Sequence, residues 1–267
     1  MPASVGSQAR MAFDADATFD ASSERIDFVS ESLKKTREVI DTEGIRGTRE
    51  HNVARTRLGM ERVGGDVVWN PSPLDLDRWL PRILGAVEAA DVFDLAETLP
   101  GVFVKVDRKA AIFRYDDCKV ARAVFSGRPG ELLTLTVSLL GKVETEGTTW
   151  DAAIPALGVA ANDAPIAFHD TSTLTLQAIA RAASVLNFTL TIDNGLEARW
   201  TNAVTATDLL ETDLTVTLDC DLVFSASAPD TTDLYSQALA GAAGTLTLAN
   251  GGLSTSFAFG ALQPIDE

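Results

Sequence analysis

Basic residues are almost missing from the second part of this 267-residue chain. Residues 143–267 contain two, Arg181 and Arg199, against 16 acidic residues, whereas residues 1–142 contain 20 basic and 22 acidic residues. The two parts therefore carry net charges of −2 and −14, which together give −16. This imbalance argues against tight nucleic-acid binding, because affinity for phosphate requires Lys and Arg. It does not exclude nucleic acid that passes by without binding.

Cysteine and histidine are also scarce, with two residues of each type. Cys118 and Cys220 lack Cys-x-x-Cys spacing and a neighbouring His, so we interpret them as free thiols in strands. His51 and His169 lie far apart, and the chain has no G-x-S-x-G elbow, P-loop, dinucleotide-binding glycine motif or HExxH motif. We therefore predict that the protein is not an enzyme and has no catalytic residue, cofactor or metal site.

Long apolar runs are absent as well. The first 25 residues contain several charges and no apolar run, so no signal peptide is expected. Residues 234–265 are uncharged, but five glycines interrupt them, which argues against a transmembrane helix. We predict no membrane association.

The pattern that is present is typical of a mainly β protein. Asn194-Gly195 predicts a two-residue hairpin, and Asn250-Gly251-Gly252 predicts a second hairpin with one extra residue. Residues 231–240 predict a short connecting helix. The predicted strands are residues 26–33, whose alternation is imperfect, and residues 63–69, 102–106, 111–115, 132–139, 174–176, 188–192, 196–200, 213–224, 245–248 and 254–259.

One helix is clearly indicated at residues 73–85. Ser72 is suited to cap its start, and Pro73 is suited to its first position. Pro81 should kink or divide the helix, and Gly85 should end it.

The predicted strand 213–224 has the most regular alternation in the chain. Asp213, Asp219 and Asp221 fall on one face together with threonines, and apolar residues fall on the other. The acidic face is either an ordinary solvated surface or a wall whose charge has a function. Asp116-Asp117 and Asp219 with Asp221 offer carboxylates of the kind that bind a hard cation, but no calcium-type loop ending in Glu is present.

Residues 34–62 form a basic segment with little apolar periodicity, which we interpret as a long exposed arm or an extended hairpin. It could be a solvated loop, or an arm for nucleic acid that lacks interleaved aromatic residues. It could also dock on another copy of this acidic protein. The arginines expected at such a contact are Arg46, Arg49, Arg55 and Arg57.

Several stretches resemble the tail tube (major tail) proteins of long-tailed bacteriophages. They are GSQARMAFDADATFD (6–20), ESLKKTREVIDTEGIRGTRE (31–50), RLGMERVGGDVVWNPSPLDLDRWLPRILGA (57–86), FVKVDRKAAIFRYDDCKVARAVFSGRPGELLTLTVSLLGK (103–142) and NFTLTIDNGLEARW (187–200). The fourth looks like a strand–turn–strand unit with an acidic turn at Asp116-Asp117, and the fifth looks like a hairpin.

The resemblance implies a β-sandwich or barrel with one flanking α-helix and a long extended arm, assembled into hexameric rings. Residues 1–267 would form one tail tube domain, in which 143–185 is a possible insertion or loop. Stacked rings would form a tube whose lumen conducts DNA during ejection. The tape-measure, tail terminator and distal tail proteins would be partners, and the protein would be made in the host cytoplasm and located in the virion tail. The alternatives are another ring-forming tail component, such as a tail completion or hub-proximal protein, or a non-viral acidic β-sandwich binding module.

Overall fold

A computed structural model describes residues 8–40, 56–86, 92–157, 164–170, 173–176, 179–180, 185–223, 242–250 and 253–262. The fold is mainly β, as predicted, with 58% of residues in strands. The strands are β1 (Arg10–Asp14), β2 (Glu24–Ile26), β3 (Phe28–Glu31), β4 (Lys34–Ile40), β5 (Arg57–Trp69), β6 (Val102–Asp107), β7 (Ile112–Gly127), β8 (Thr134–Gly141), β9 (Val143–Glu146), β10 (Thr173–Leu176), β11 (Ile179–Ala180), β12 (Val185–Asp193), β13 (Glu197–Arg199), β14 (Asp208–Leu210), β15 (Thr215–Leu222), β16 (Ala242–Asn250) and β17 (Leu253–Leu262). The described residues also contain the helix α1 (Pro73–Leu84) and a short 3-10 helix at Phe168–Asp170.

Two antiparallel sheets share the long strand β7. In the first sheet the order is β2-β1-β6-β7-β9, and in the second it is β4-β5-β8-β7-β12-β15, with β3 beside β4 on β5. A third sheet has the order β11-β10-β16-β17, and β13 pairs with β14. Within the described part of the chain the sheets stay open, so the predicted barrel is wrong for a single copy.

The strand β7 passes from one sheet to the other at a bulge. Val104 lies opposite Tyr115, but Val102 lies opposite Cys118, so β7 has one extra residue there. At this bulge the backbone of Asp117 adopts a positive φ of 51°. The acidic turn predicted at Asp116-Asp117 is therefore wrong, since the strand continues through it for 16 residues in all.

The helix α1 is confirmed and caps itself as the sequence predicts. The Ser72 hydroxyl accepts from the Asp75 N–H, and the Asp75 carboxylate accepts from the Ser72 N–H, which forms a capping box. Gly85 ends the helix with φ of 94°. Pro81 does not divide the helix. Proline removes the hydrogen bond to the carbonyl four residues earlier, that of Asp77, whose side chain is on the exposed side where water is available.

One hydrophobic core joins the helix to the sheets. The Trp79 ring lies 4.9 Å from Phe13 and 5.1 Å from Trp69, and so connects α1 to β1 and β5. Phe125 of β7 lies 5.3 Å from Phe257 of β17, which places the third sheet on the apolar side of the second. Residues from β1 through β16 belong to this single cluster.

The predicted hairpin at Asn194-Gly195 is wrong. Strand β12 pairs with β7 and β15, whereas β13 pairs with β14. Asn194 is buried, and its side-chain amide donates to the Ile83 carbonyl at 3.0 Å and the Val120 carbonyl at 2.9 Å. Asn194 therefore ties the end of α1 to β7, and the chain leaves the second sheet at this residue.

Gly195 should tolerate substitution poorly. Its φ is +55°, and an added Cβ would lie 2.4 Å from Thr212 Oγ1 and 2.7 Å from the Asp213 carbonyl oxygen. We expect Gly195→Ala to lower the free energy of unfolding by about 2–3 kcal/mol, since a clash adds to the backbone strain. Gly130→Ala is the control, because φ is +81° but nothing lies within 4 Å of an added Cβ. It should cost about 1 kcal/mol in urea unfolding, and equal losses in the two variants would contradict the expected clash.

The remaining predictions have mixed outcomes. The C-terminal hairpin is confirmed, but the extra residue is wrong, since Asn250 lies opposite Leu253 in the β16–β17 pair and two residues separate them. The helix predicted at 231–240 lies outside the described residues. Within the possible insertion, β9 pairs with β7, while Trp150 and Ile154 pack against the outer face of the first sheet. The single-domain assignment of residues 1–267 stays a prediction.

Candidate functional site

One face of the second sheet is apolar and the other is polar, because directly opposed residues lie on the same face. On the apolar face, Leu218, Leu190, Phe125, Leu135 and Trp69 form a row across five strands. On the polar face, the corresponding rows are Asp219-Thr189-Ser126-Thr134, Thr217-Thr191-Val124-Thr136 and Asp193-Arg122-Ser138-Asp66. The polar face is thus built mainly from hydroxyl and acidic side chains.

The predicted acidic residues lie at one end of this face. Asp219 and Asp221 are exposed on β15, and Asp221 accepts a 2.6 Å hydrogen bond from the Asn187 amide. Asp213 is also exposed but precedes β15, which begins two residues later than predicted. Their role stays a prediction.

The opposite side of β15 is less buried than its alternation suggests. Leu218, Cys220 and Leu222 are half-buried against the core, while Val216 is 41% exposed. Burial raises the pKa of the Cys220 thiol, and the neighbouring Asp219 and Asp221 carboxylates raise it further. Cys220 therefore stays a neutral thiol near neutral pH.

Positive charge is sparse on the rows that β7, β8, β12 and β15 contribute to the polar face. Arg122 lies directly opposite Asp193, so its charge has an acidic neighbour. Asp66 of β5 accepts a 2.6 Å hydrogen bond from the Ser138 hydroxyl. The surface across these strands therefore has an acidic balance.

The flanks of the predicted basic arm form a two-stranded hairpin. Strand β4 pairs antiparallel with β5, and Val39 lies opposite Leu58. Of the four predicted arginines, Arg57 is exposed at the start of β5. The other three, Arg46, Arg49 and Arg55, lie outside the described residues, and the role of all four stays a prediction.

The outer part of this hairpin exposes four large apolar side chains. They are Val39 (61% exposed), Ile40 (55%), Leu58 (59%) and Met60 (46%). We call this group the hairpin end. Clusters of exposed apolar residues on a folded protein commonly mark contacts with other macromolecules.

The base of the hairpin is held by the segment that follows β13. The Glu61 N–H donates to the Val204 carbonyl at 2.8 Å, and the Trp200 indole N–H donates to the Glu61 carbonyl at 3.1 Å. The Arg62 guanidinium lies 4.9 Å from the Trp200 ring centre. Sequence reasoning missed this contact because the Asn194-Gly195 pattern placed Trp200 in a different hairpin.

A second clamp holds the junction between β3 and β4. Arg108 donates to both carboxylate oxygens of Glu31, at 2.6 and 2.8 Å, and to the Leu33 carbonyl. The Tyr115 hydroxyl donates to the same carbonyl at 2.8 Å. The hydrogen bonds that Arg108 donates to Glu31 raise the pKa of Arg108, and burial raises the pKa of Tyr115. Both side chains therefore stay protonated and keep donating hydrogen bonds to the Leu33 carbonyl.

The described residues offer few groups that are arranged for metal binding or catalysis. No group of three or more His, Cys, Asp or Glu among them is arranged to hold a metal ion. Asp116 accepts two hydrogen bonds from Arg114, Asp117 lies 3.5 Å from Lys142, and Cys118 is a buried free thiol. Across the same part of the chain, no helix has the length and apolar character needed to span a membrane.

Among the described strands, β15 and β4 each have one partner in the second sheet, and β4 forms a hairpin with β5. The family model described as phage tail tube protein matches residues 6–267, and the chain belongs to this family. It is thus a structural protein of the bacteriophage tail, and membership implies assembly into a tube with other tail proteins. Among curated proteins, the search found no match.

Proposed function

We propose that this chain is the repeating subunit of a hollow tail tube, in which hexameric rings stack and DNA passes through the lumen during ejection. The observation that carries the proposal is the acidic, hydroxyl-rich face of the second sheet, which we place on the wall of the lumen. In this proposal the protein is not an enzyme and uses no cofactor. Before ejection the tape-measure protein fills the lumen, and terminator and distal tail proteins close the two ends.

A face of this composition suits a polyanion that must move. Strong DNA binding depends on Lys and Arg that displace condensed counterions from the phosphates. Asp219 and Asp221 instead repel phosphate, and Thr and Ser carry no charge. A lumen lined in this way therefore lets DNA pass through the channel without binding it tightly.

The edges of the second sheet support ring formation. Among the described strands, β15 at one edge pairs only with β12, and β4 at the other edge pairs only with β5. The backbone N–H and C=O groups on the outer side of these two strands can pair with an edge strand of a neighbouring copy, and six copies would close the ring.

Charge reversal on β15 tests the proposal. We expect tubes of Asp219→Lys/Asp221→Lys to bind short duplex DNA at least tenfold more tightly than wild-type tubes at about 50 mM salt, and to lose that binding as salt rises. Fluorescence anisotropy of labelled duplex on purified tubes measures this. Phage assembled with the variant should also release DNA more slowly.

The matched control is Asp77→Lys/Asp94→Lys, because both aspartates lie outside the second sheet and Asp77 is exposed on α1. It adds the same charge away from the proposed wall and should leave the DNA affinity and release rate of intact tubes near wild type. Equal binding by the two variants would contradict the placement of β15. Cryo-electron microscopy of wild-type tubes checks it directly, and isolated rings or monomers in place of tubes would argue against the tube itself.

A further inference from the structure

Arg25 of β2 differs from other basic side chains of the first sheet because it lacks a partner. Lys105 pairs with Asp151, and Arg114 pairs with Asp116. Within the described part of the chain, Arg25 makes no ion pair and no side-chain hydrogen bond, and its Nε atom is buried. The whole chain has 38 acidic residues against 22 basic ones, so carboxylates are not in short supply. A buried donor without an acceptor in such a protein calls for an explanation.

The strand registers place Arg25 on the outer face of the first sheet, the face turned away from the hydrophobic core. Arg25 lies opposite Ala12 of β1, and Ala12 lies opposite Lys105 of β6. Lys105 in turn lies opposite Arg114 of β7. Arg10 precedes Ala12 by two residues on β1, so its side chain shares this face. The outer face therefore carries a row of basic residues with Arg10 beside it.

The Trp150 ring contacts both Arg10 and Arg25 on this face. The Arg10 guanidinium carbon lies 4.2 Å from the centre of the ring, and the Arg25 guanidinium carbon lies 5.9 Å from it. The two residues next to Trp150 in the sequence both accept hydrogen bonds from Nζ of Lys105, which is buried. These contacts hold the tryptophan and the two arginines in a fixed arrangement.

The acidic residues near this arrangement do not neutralise Arg25. Burial lowers the pKa of Arg25 and the positive charge of Arg10 lowers it further, whereas the exposed Asp27 raises it. Asp107 accepts a 2.8 Å hydrogen bond from Arg10 Nε and also lies 3.6 Å from Lys109 Nζ. The one carboxylate in direct contact with Arg10 is thus shared between two cations, and this region of the described structure is short of a negative charge.

We propose that Arg10 and Arg25 together bind one oxyanion, a carboxylate or a phosphate group, beside Trp150. Planar guanidinium groups donate in pairs to the oxygens of such anions, and an anion that both arginines contact offsets their mutual repulsion. Within the described part of the chain, Arg10 donates only through Nε, so its terminal N–H groups remain able to donate. This site lies outside the second sheet and goes beyond the proposed tube function.

Inorganic phosphate is the probe for the purified subunit. At constant ionic strength, replacing sodium chloride with about 50 mM sodium phosphate at neutral pH should raise the wild-type melting temperature by about 2–4 °C, because a ligand of the folded state stabilises it. The Arg25 Nε–H resonance in arginine-selective NMR spectra should shift over the same titration. Arg25→Met should show no rise. In chloride it should melt at or above the wild-type temperature, because an unpaired cation with a like-charged neighbour has been removed.

Arg114→Met is the matched control, because Arg114 lies in the same row but donates two hydrogen bonds to Asp116. It removes the same charge and should keep the full phosphate response. Arg25→Lys retains the charge without the paired donors and should keep less than half of the rise. No rise in the wild-type protein, or an equal rise in Arg25→Met, would overturn the proposal.

Measurements on assembled tubes identify the source of the oxyanion. If an acidic side chain of another tail polypeptide supplies it, phosphate should leave the melting temperature of wild-type tubes unchanged. Phosphate should then compete during assembly and raise the critical concentration for tubes about threefold in wild type but not in Arg25→Met. If a free anion supplies it, tubes should keep the phosphate response of the subunit. Failure of the wild-type protein to form tubes would contradict the proposed function but not this site, which the subunit measurement tests by itself.

Discussion

Replacing Arg108 with methionine should lower the free energy of unfolding by about 3 kcal/mol, because it leaves a carboxylate without its partner in a site mostly shielded from water. The Glu31 side chain is only 11% exposed and receives both of its short hydrogen bonds from Arg108. The Leu33 carbonyl would keep only the Tyr115 hydroxyl. Chemical denaturation followed by tryptophan fluorescence measures the loss.

The control for Arg108 is Arg114→Met. Arg114 makes two similar hydrogen bonds to Asp116, at 2.7 and 2.9 Å, but its partner is two residues away on the same strand. We expect a loss of about 1 kcal/mol or less, since that ion pair ties no separate segments together. Adding Glu31→Gln to Arg108→Met should recover part of the stability, because no charge is then left unpaired. No recovery in the double variant would contradict the ion-pair explanation.

The clamp has an expected consequence for assembly. It holds the β3–β4 junction, from which the hairpin starts, against the turn between β6 and β7. Under conditions where Arg108→Met remains folded, it should form tubes at a higher critical concentration, because the arm is predicted to contact another copy and the clamp holds its starting point. An unchanged critical concentration would separate the clamp from hairpin positioning.

Trp79→Ala should be the most destabilising single change on α1, with an expected loss of about 4 kcal/mol. The side chain is 1% exposed and lies between Phe13 and Trp69, so its removal leaves a cavity where the helix meets two strands. Urea unfolding monitored by far-ultraviolet circular dichroism measures it.

Asp77→Ala, on the exposed side of the same helix, is the matched control and should stay within about 0.5 kcal/mol of wild type. Trp79→Phe should fall between the two, because it retains part of the ring packing. A loss for Trp79→Ala no larger than that of the control would show that the helix is not packed as described.

Features encoded by neighbouring residues could be predicted from the sequence. The α1 boundaries followed from Ser72 and Gly85, since capping involves residues three or four positions apart. The alternating face of β15 followed from a period of two. The family resemblance was confirmed by the match over residues 6–267.

Features that depend on distant contacts could not be predicted. Asn194-Gly195 favours a tight turn locally, but the Asn194 side-chain amide donates hydrogen bonds to the carbonyls of Val120 and Ile83, which are 74 and 111 residues away. Asp116-Asp117 likewise favours a turn, yet β6 and β9 pair with β7 on either side and keep it extended. The hairpin-base contact of Trp200 joins residues 139 apart. Pairing of this kind is decided by the whole sheet, not by the local sequence.

The continuity of β7 has a consequence for how the protein opens. This one strand supplies hydrogen bonds to both large sheets, so neither sheet can separate from it without exposing the other's backbone. Amide protons in β6 and in β8 should therefore exchange with deuterium at similar free energies of opening, as one cooperative unit. A subunit with this property resists partial unravelling when it is pulled along the strand axis, because the two sheets bear the load together.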